Sequence, residues 1–170
     1  EKRAALIPYI TCGDPTLAFT EQVVEQLAVS GADIIELGMP FSDPMADGKT
    51  IQEACTRALA HGVTLTEILA MVSRLRAKGV NTPFILFSYY NVLFGQGIEV
   101  VAKRCAEAGI DGWLTVDMPI EEVDEILPVL NACGLVWIPL TAPTTSLERI
   151  EAIQSRGGGF LYYIMVTGVT

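Results

Sequence analysis

The stretch TLAFTEQVVEQLAVSGADIIELG, residues 16–38, contains a helix-like segment followed directly by a strand-like segment. The first part carries apolar side chains such as Val24 and Leu27 at helical spacing. It ends at Gly31, a residue typical of the position just after a helix. The second part, ADIIELG, is a nearly continuous apolar run, which is typical of a strand buried on both faces. The stretch therefore predicts a helix that packs against a parallel sheet.

The same pattern recurs along the chain. Strand-like apolar runs occupy residues 5–11, 32–38, 82–90, 112–118, 135–142 and 160–166. Amphipathic stretches occupy residues 16–31, 50–62, 64–79, 98–109, 121–134 and 146–157. Strand–helix alternation with a period of about 25–30 residues predicts a parallel sheet with right-handed crossovers.

Two folds are built from such units, the doubly wound open sheet and the eightfold barrel. The dinucleotide fingerprint G-x-G-x-x-G, common in doubly wound folds, follows none of the strand-like runs. A complete barrel needs about 250 residues, whereas the 170 residues hold six units. We therefore predict an α/β fold, a (β/α)8 TIM barrel of which residues 1–170 form a single, incomplete domain with about six of the eight units.

Two local signals refine the helices. Thr64 and Glu67 have the spacing of a capping box, which predicts a helix start at this point. Pro128 lies inside the amphipathic stretch 121–134 and predicts a break or kink there.

Composition excludes several classes of function. The net charge is −9 with a pI of about 4.5, which argues against nucleic acid as a partner. No apolar run approaches the roughly 20 residues of a membrane helix, and the start of the sequence carries no secretory signal pattern. Four scattered cysteines without C-x-x-C spacing and a single histidine, His61, predict no metal site and a reduced, cytoplasmic protein.

Candidate functional residues lie where strands end, because the mouth of a parallel barrel is formed by the carboxyl ends of its strands. Glu36 ends the second strand among apolar neighbours, so its carboxyl group is expected to face the barrel mouth. A carboxyl group without water has a raised pKa and can act as an acid or a base near neutral pH. From spacing alone, a structural role for Glu36, in an ion pair with a basic residue or in a hydrogen bond with a backbone N–H, is an equally good interpretation.

Asp43 and Asp47 lie in the proline-containing loop after this strand. For Asp47, which precedes Gly48 and a helix, capping of the helix or a turn is the ordinary interpretation. Glu36, Asp43 and Asp47 together would also permit a Mg²⁺ site, although nothing else in the sequence supports one. Aromatic residues on the strands, among them Tyr9 and Tyr89, are interpreted first as packing residues.

Several segments together resemble one family. IELGMPFSDPMADG (35–48) is the most specific of them, and the others occur in the same order as in that family. The supporting segments are PYITCGDP (8–15), YYNVLF (89–94), AGIDGWLTVDMP (108–119) and YYIMVTGVT (162–170). The chain is identified by these segments as similar, over its whole length, to the tryptophan synthase alpha subunits.

The resemblance implies an eightfold barrel with an added N-terminal helix, relative to which this chain is truncated at both ends. It implies the retro-aldol cleavage of indole-3-glycerol phosphate to indole and glyceraldehyde 3-phosphate, a carbon–carbon lyase step of tryptophan biosynthesis. The catalytic carboxylates of the family fall on Glu36 and Asp47. The implied substrate-binding residues are Tyr9, Phe87, Tyr162 and Thr170. Asp43 and Asn91 are implied to face the partner.

That partner, by the same resemblance, is a pyridoxal-phosphate beta subunit in an α2β2 heterotetramer. The resemblance implies no cofactor and no metal on this chain, and a location in the cytoplasm, or in the plastid stroma for a plant protein. Two alternatives share these motifs: a stand-alone indole-3-glycerol-phosphate lyase, and a non-catalytic barrel that activates a beta subunit. Because an open barrel leaves sheet edges unpaired, we expect the 170 residues by themselves to be inactive.

Overall fold

The structure is a computed structural model that describes residues 3–165. Helices and strands alternate through this range, as the apolar pattern predicts. The strands are β1 (Tyr9–Thr11), β2 (Ile35–Gly38), β3 (Phe84–Ser88), β4 (Gly112–Thr115), β5 (Val136–Trp137), β6 (Leu140–Thr141) and β7 (Tyr162–Tyr163). The helices are α1 (Leu17–Val29), α2 (Lys49–Ala60), α3 (Leu65–Ala77), α4 (Tyr90–Phe94), α5 (Ile98–Ala108), α6 (Ile120–Val123), α7 (Leu127–Ala132) and α8 (Leu147–Arg156).

Strands β1 to β5 form one sheet in the order of the chain, and every neighbouring pair is parallel. In a doubly wound sheet the order would reverse at a switch point. A sequential order of parallel strands is the arrangement of a barrel wall. The strand order therefore favours the barrel over the open sheet.

The predicted strand 135–142 is wrong in one respect, because the structure divides it into β5 and β6. Pro139 lies between them and has no N–H to donate to a neighbouring strand. β5 pairs with β4, and β6 pairs with β7. On either side of the break, backbone hydrogen bonds extend these two pairings: Ile138 N donates to Trp113 O at 2.8 Å, and Tyr162 N donates to Pro139 O at 2.9 Å.

The helix predictions hold with one addition. The capping box at α3 is confirmed: Thr64 N donates to Glu67 Oε2 at 2.9 Å, and Glu67 N donates to Thr64 Oγ1 at 3.3 Å. Pro128 stands in the first turn of α7, and the predicted break separates α6 from α7. The short helix α4 follows β3 directly and was not predicted, since its five residues are too few to show a helical period.

Two apolar layers lie on opposite sides of the sheet. The larger layer fills the space between strands and helices and includes residues such as Ile35, Leu37 and Leu86. The smaller one contains Ile85, Leu114 and Ile138, with partly buried residues packed against it. Alternate residues of β2, β3 and β4 therefore face the helices and the barrel interior, as strands buried on both faces require.

Two aspartates each join the start of one strand to the start of the strand before it, Asp33 for β2 and β1 and Asp111 for β4 and β3. Asp33, just before β2, receives a hydrogen bond from Leu6 N at 2.8 Å and donates its own N–H to Leu6 O at 2.9 Å. Asp111, just before β4, makes the same pair of bonds with Phe84, at 2.8 and 2.9 Å. Each carboxylate also binds an arginine, Arg3 for Asp33 and Arg76 for Asp111.

Arg76 contributes more than an ion pair. Its guanidinium group donates to the carbonyl oxygens of Val80, Thr82 and Gly109 at 2.7 to 3.0 Å. It also lies over the ring of Phe84, 4.2 Å from the centroid. Arg76 thus joins the end of α3 to the starts of β3 and β4, at the end of the sheet opposite to the mouth.

Within the described residues, no single helix is long and apolar enough to cross a membrane. The pair α2 and α3, bent by 94° at its break, meets the criterion of length and composition only as a pair.

We predict that Arg76→Ala lowers the free energy of unfolding by about 2–4 kcal/mol, because three carbonyl oxygens and Asp111 lose a charged donor. Urea denaturation followed by circular dichroism measures this. Arg74→Ala, two residues earlier on α3, is the matched control. Arg74 pairs with Glu21, which keeps a second partner in Lys78, so the control is expected to cost less than about 1 kcal/mol. Equal losses for the two variants would contradict the role assigned to Arg76.

Candidate active site

Glu36 lies on the inner face of β2, between Tyr9 of β1 and Ile85 of β3. It is only 2% exposed, and its Oε1 atom has no hydrogen-bond partner among the described residues. Burial raises the pKa of its carboxyl group from 4.5 to about 7. The sequence prediction of a desolvated, inward-facing carboxyl group agrees with this position, and the alternative of an ion pair finds no support in it.

Asp47 lies in the turn between β2 and α2, where its N–H donates to Pro44 O at 3.1 Å. The N-cap of α2 is Gly48, and no side chain caps this helix. The interpretation of Asp47 as a turn residue is therefore correct for its backbone, whereas the interpretation of its side chain as a helix cap is wrong.

The carboxylate of Asp47 instead accepts a hydrogen bond from Tyr89 Oη, at 2.8 Å to Oδ2. Burial raises the pKa of Asp47, and the bond from Tyr89 opposes that rise because it stabilises the ionised form. The two carboxyl groups therefore differ: Glu36 has an apolar surrounding and Asp47 a polar partner.

A cavity of about 460 Å³ opens at the carboxyl ends of the strands, beside Asp47. Its lining consists of Tyr9, Ala46, Asp47, Gly48, Ile51, Phe87, Val116, Leu140, Tyr162, Tyr163, Ile164 and Met165. The predicted substrate-binding residues Tyr9, Phe87 and Tyr162 all belong to this wall. A larger groove of about 570 Å³ lies between α5 and α7, on the outer helical layer and away from the strand ends.

The three aromatic rings contact one another in series. Tyr9 and Phe87 lie edge to face with ring centroids 5.1 Å apart, and Phe87 and Tyr162 with centroids 6.2 Å apart. Negative charge on both Glu36 and Asp47 contributes to raising the pKa of the Tyr162 hydroxyl, after burial. Tyr162 is thus close enough to both carboxyl groups to feel their charge, but only Asp47 lines the cavity, and Glu36 is not among its lining residues.

Tyr9 occupies a space that Gly38 leaves open. A Cβ atom at residue 38 would lie 2.2 Å from Tyr9 Oη, closer than two such atoms can approach. The hydroxyl group of Tyr9 accepts a bond from Thr11 Oγ1 at 3.4 Å, and burial raises its pKa. Tyr9 is therefore a neutral wall of the cavity at neutral pH.

The remaining predicted residues lie elsewhere. Asp43 and Asn91 are exposed and do not line the cavity. Asp43 accepts a bond from Ser42 Oγ at 2.5 Å, and Asn91 lies in α4. Thr170 lies outside the described residues. Among residues 3–165, no group of three or more histidine, cysteine or acidic side chains is arranged to hold a metal ion.

Tyr89 is the site residue that the sequence interpretation missed. It follows β3, as the candidate residues do, but an aromatic residue at the end of an apolar strand is interpreted first as packing. The position of Tyr89 in the sequence is the feature that could have indicated its role. It directly follows β3, at the mouth, and the neighbouring strand β2 leads into the loop that carries Asp47.

Comparison with known proteins agrees with this arrangement. The profile of the family described as "Tryptophan synthase alpha chain" matches residues 1–170. A tryptophan synthase alpha chain from Picosynechococcus is 50% identical over 168 residues, which are 99% of this chain and 63% of that protein. The chain spans less than two thirds of the length of this relative.

Solved structures give the same result. The tryptophan synthase alpha subunit from Legionella pneumophila superposes with a TM-score of 0.92 and 45% identity, covering 96% of this chain and 62% of that one. A chain from the tryptophan synthase a2b2 complex of Pyrococcus furiosus superposes with a TM-score of 0.89 and 39% identity, covering 94% and 65%.

Fold and cavity define an α/β protein of the TIM-barrel class with two acidic groups at the mouth, and the predicted fold class is confirmed by these neighbours. The sequence comparisons also identify the family within this fold class. The chain belongs to the tryptophan synthase alpha chain family.

We predict that burial of Glu36 makes stability depend on pH. Below about pH 4.5 the carboxyl group is protonated in both the folded and the unfolded state. Between 4.5 and about 7 the unfolded chain loses this proton while the folded chain keeps it, so stability falls as pH rises. The loss reaches about 3 kcal/mol, at 1.36 kcal/mol per pKa unit.

Urea unfolding of the protein and of Glu36→Gln across pH 4 to 8 measures this effect. The advantage of Glu36→Gln is expected to grow between pH 4.5 and 7 and then stay constant. Glu53→Gln is the control, since the Glu53 side chain is 57% exposed. An advantage of Glu36→Gln that did not change with pH would show that Glu36 titrates normally.

Proposed function

We propose that the protein cleaves indole-3-glycerol phosphate to indole and glyceraldehyde 3-phosphate, as the alpha chain of a tryptophan synthase. The observation that carries this proposal is a pair of carboxyl groups in unlike surroundings near Tyr162: Asp47 lines the cavity with the aromatic wall, and Glu36 is buried on β2 next to Tyr9 of that wall. Such a cavity suits a planar apolar ring that must also exchange protons. Membership of the family supports the choice of reaction.

Glu36 acts as both acid and base. In its protonated form it gives a proton to C3 of the indole ring, which converts the ring to an indolenine. The bond from C3 to the glycerol carbon then breaks, and its electron pair returns to the ring. The carboxylate of Glu36 takes the proton of the hydroxyl group on that carbon, which leaves as the aldehyde. The net change is the transfer of one proton from oxygen to carbon, and a pKa near neutrality suits both steps.

Asp47 remains ionised and accepts the N–H of the indole. Positive charge develops at this nitrogen when C3 is protonated, so a fixed carboxylate at hydrogen-bond distance stabilises the transition state more than the ground state. Tyr9, Phe87 and Tyr162 hold the ring, and Thr170 is proposed as a further substrate-binding residue.

The exposed part of the loop between β2 and α2, together with α4, is proposed to bind a beta subunit. Asp43 and Met45 lie in that loop, and Asn91 and Phe94 lie in α4; Met45 is 83% exposed and Phe94 is 61% exposed. Exposed apolar residues beside polar ones are typical of a protein interface. The α2β2 complex of the Pyrococcus furiosus relative supports this partner.

In this proposal the chain itself needs no cofactor, the pyridoxal phosphate belongs to the beta subunit, and the complex works in the cytoplasm.

We predict that Glu36→Gln lowers kcat for indole release by about 10³-fold and Asp47→Asn by about 10²–10³-fold in the full-length protein. Assay of indole release from indole-3-glycerol phosphate measures both. The unaltered protein is expected to lose kcat/KM above about pH 7, where Glu36 loses its proton, and also at acid pH, where Asp47 gains one. Unchanged indole release by Glu36→Gln would instead favour the non-catalytic barrel that only activates a beta subunit.

We predict that adding a tryptophan synthase beta subunit accelerates indole release, and that Asp43→Arg weakens this stimulation by at least about tenfold in the concentration of beta subunit required. Glu151→Arg on α8 is the control, because it makes the same charge change at an exposed residue on another part of the surface. Full activity without any response to beta subunit would favour the stand-alone lyase.

A further inference from the structure

Tyr89 makes the hydrogen bonds that determine where the Asp47 carboxylate lies. The residue follows β3 and is the N-cap of α4, and its side chain is 7% exposed. Its hydroxyl group accepts a bond from Ala46 N at 2.9 Å and donates to Asp47 Oδ2 at 2.8 Å. One hydroxyl group thus holds both the backbone and the side chain of the turn that carries Asp47.

The ring of Tyr89 is itself held in place. Phe41, at the start of the same loop, packs against it with ring centroids 5.1 Å apart and an angle of 36° between the ring planes. The contacts of Phe41, Ala46 and Asp47 with Tyr89 join the two ends of the loop to the end of β3. A second bond, from Gln52 Nε2 to Asp47 O at 2.8 Å, holds the turn from the side of α2.

The bond from Tyr89 goes to one carboxylate oxygen only. Because a carboxylate has two oxygens, an Asp47 held at Oδ2 keeps Oδ1 for a donor on a bound molecule. Asp47 lines the cavity, whereas Tyr89 does not. The hydrogen bond to Asp47 is therefore the connection between Tyr89 and a ligand in the cavity on which the proposal below is based.

We propose that Tyr89 is a positioning residue whose hydroxyl group fixes the Asp47 carboxylate in the orientation that presents its second oxygen to the N–H group of the substrate ring. This inference rests on the proposed function, since it assigns Asp47 to that N–H group. The same bond opposes the rise that burial causes in the pKa of Asp47, so Tyr89 also favours the charged form of the carboxylate.

The test is Tyr89→Phe in the full-length protein, which removes the hydroxyl group and keeps the ring that packs on Phe41. We expect kcat for indole release to fall about 10- to 100-fold, with KM changed less than about threefold, since orientation matters most in the transition state. Loss of the bond leaves burial unopposed, so the pKa of Asp47 rises and the acid limb of the pH–rate profile moves to higher pH. A residue that only stabilised the fold would not move that limb.

Tyr90→Phe is the matched control, because it removes a hydroxyl group from the next residue, whose ring packs on Phe94 instead. It is expected to leave kcat and the pH profile unchanged. A double variant, Tyr89→Phe with Asp47→Asn, completes the design. If Tyr89 acts through Asp47, the double variant loses no more activity than Asp47→Asn alone.

The outcomes separate this inference from the proposed function. If Tyr89→Phe keeps the kcat and pH profile of the unaltered protein while Asp47→Asn loses activity, the inference is overturned and the proposed function stands. Additive losses in the double variant also overturn it. If Asp47→Asn itself keeps full activity, the proposed function fails at Asp47, irrespective of Tyr89.

Discussion

The register between the first three strands determines which side chains reach the barrel interior. Glu36 lies between Tyr9 and Ile85 on one face, while its neighbours Ile35 and Leu37 belong to the opposite layer. A slip by one residue would turn Glu36 into the layer of helices and expose apolar groups inside the barrel. Because strands buried on both faces carry apolar residues on each, alternation of polarity alone cannot set this register.

The aspartates at the strand starts constrain two of the pairings, β1 with β2 and β3 with β4. Asp33 ties β2 to the residues just before β1, and Asp111 ties β4 to the start of β3, each with one side-chain and one backbone hydrogen bond. These bonds lie at the end of the sheet opposite to the cavity. These contacts stabilise the end of the sheet opposite to the mouth, whereas Glu36, at the carboxyl end of β2, destabilises the fold at neutral pH.

Much of this arrangement could be predicted from the sequence. Long apolar runs and helical spacing gave the layers and the order of units, and the position of Glu36 at the end of such a run indicated its burial. The missing N–H of Pro139 indicates a break, but the apolar run continues through this residue and by itself predicts one strand. Helix α4 was missed because its five residues carry no period.

The role of Tyr89 could not be predicted because it depends on a contact between residues 42 positions apart. Local patterns report which face a residue occupies but not which loop lies across from it. The resemblance to a family supplied Asp47 for a similar reason, since its own neighbours indicate only a turn.

The close approach of Gly38 and Tyr9 constrains how the protein can change over generations. Any side chain at residue 38 would overlap the ring and hydroxyl group of Tyr9, so it requires Tyr9 to move or to be replaced by a smaller residue. Replacement of Tyr9 alone would leave a gap in the aromatic wall, so a protein with only this substitution is expected to be less stable. The order in which these two positions can mutate is therefore restricted, although each lies on its own strand.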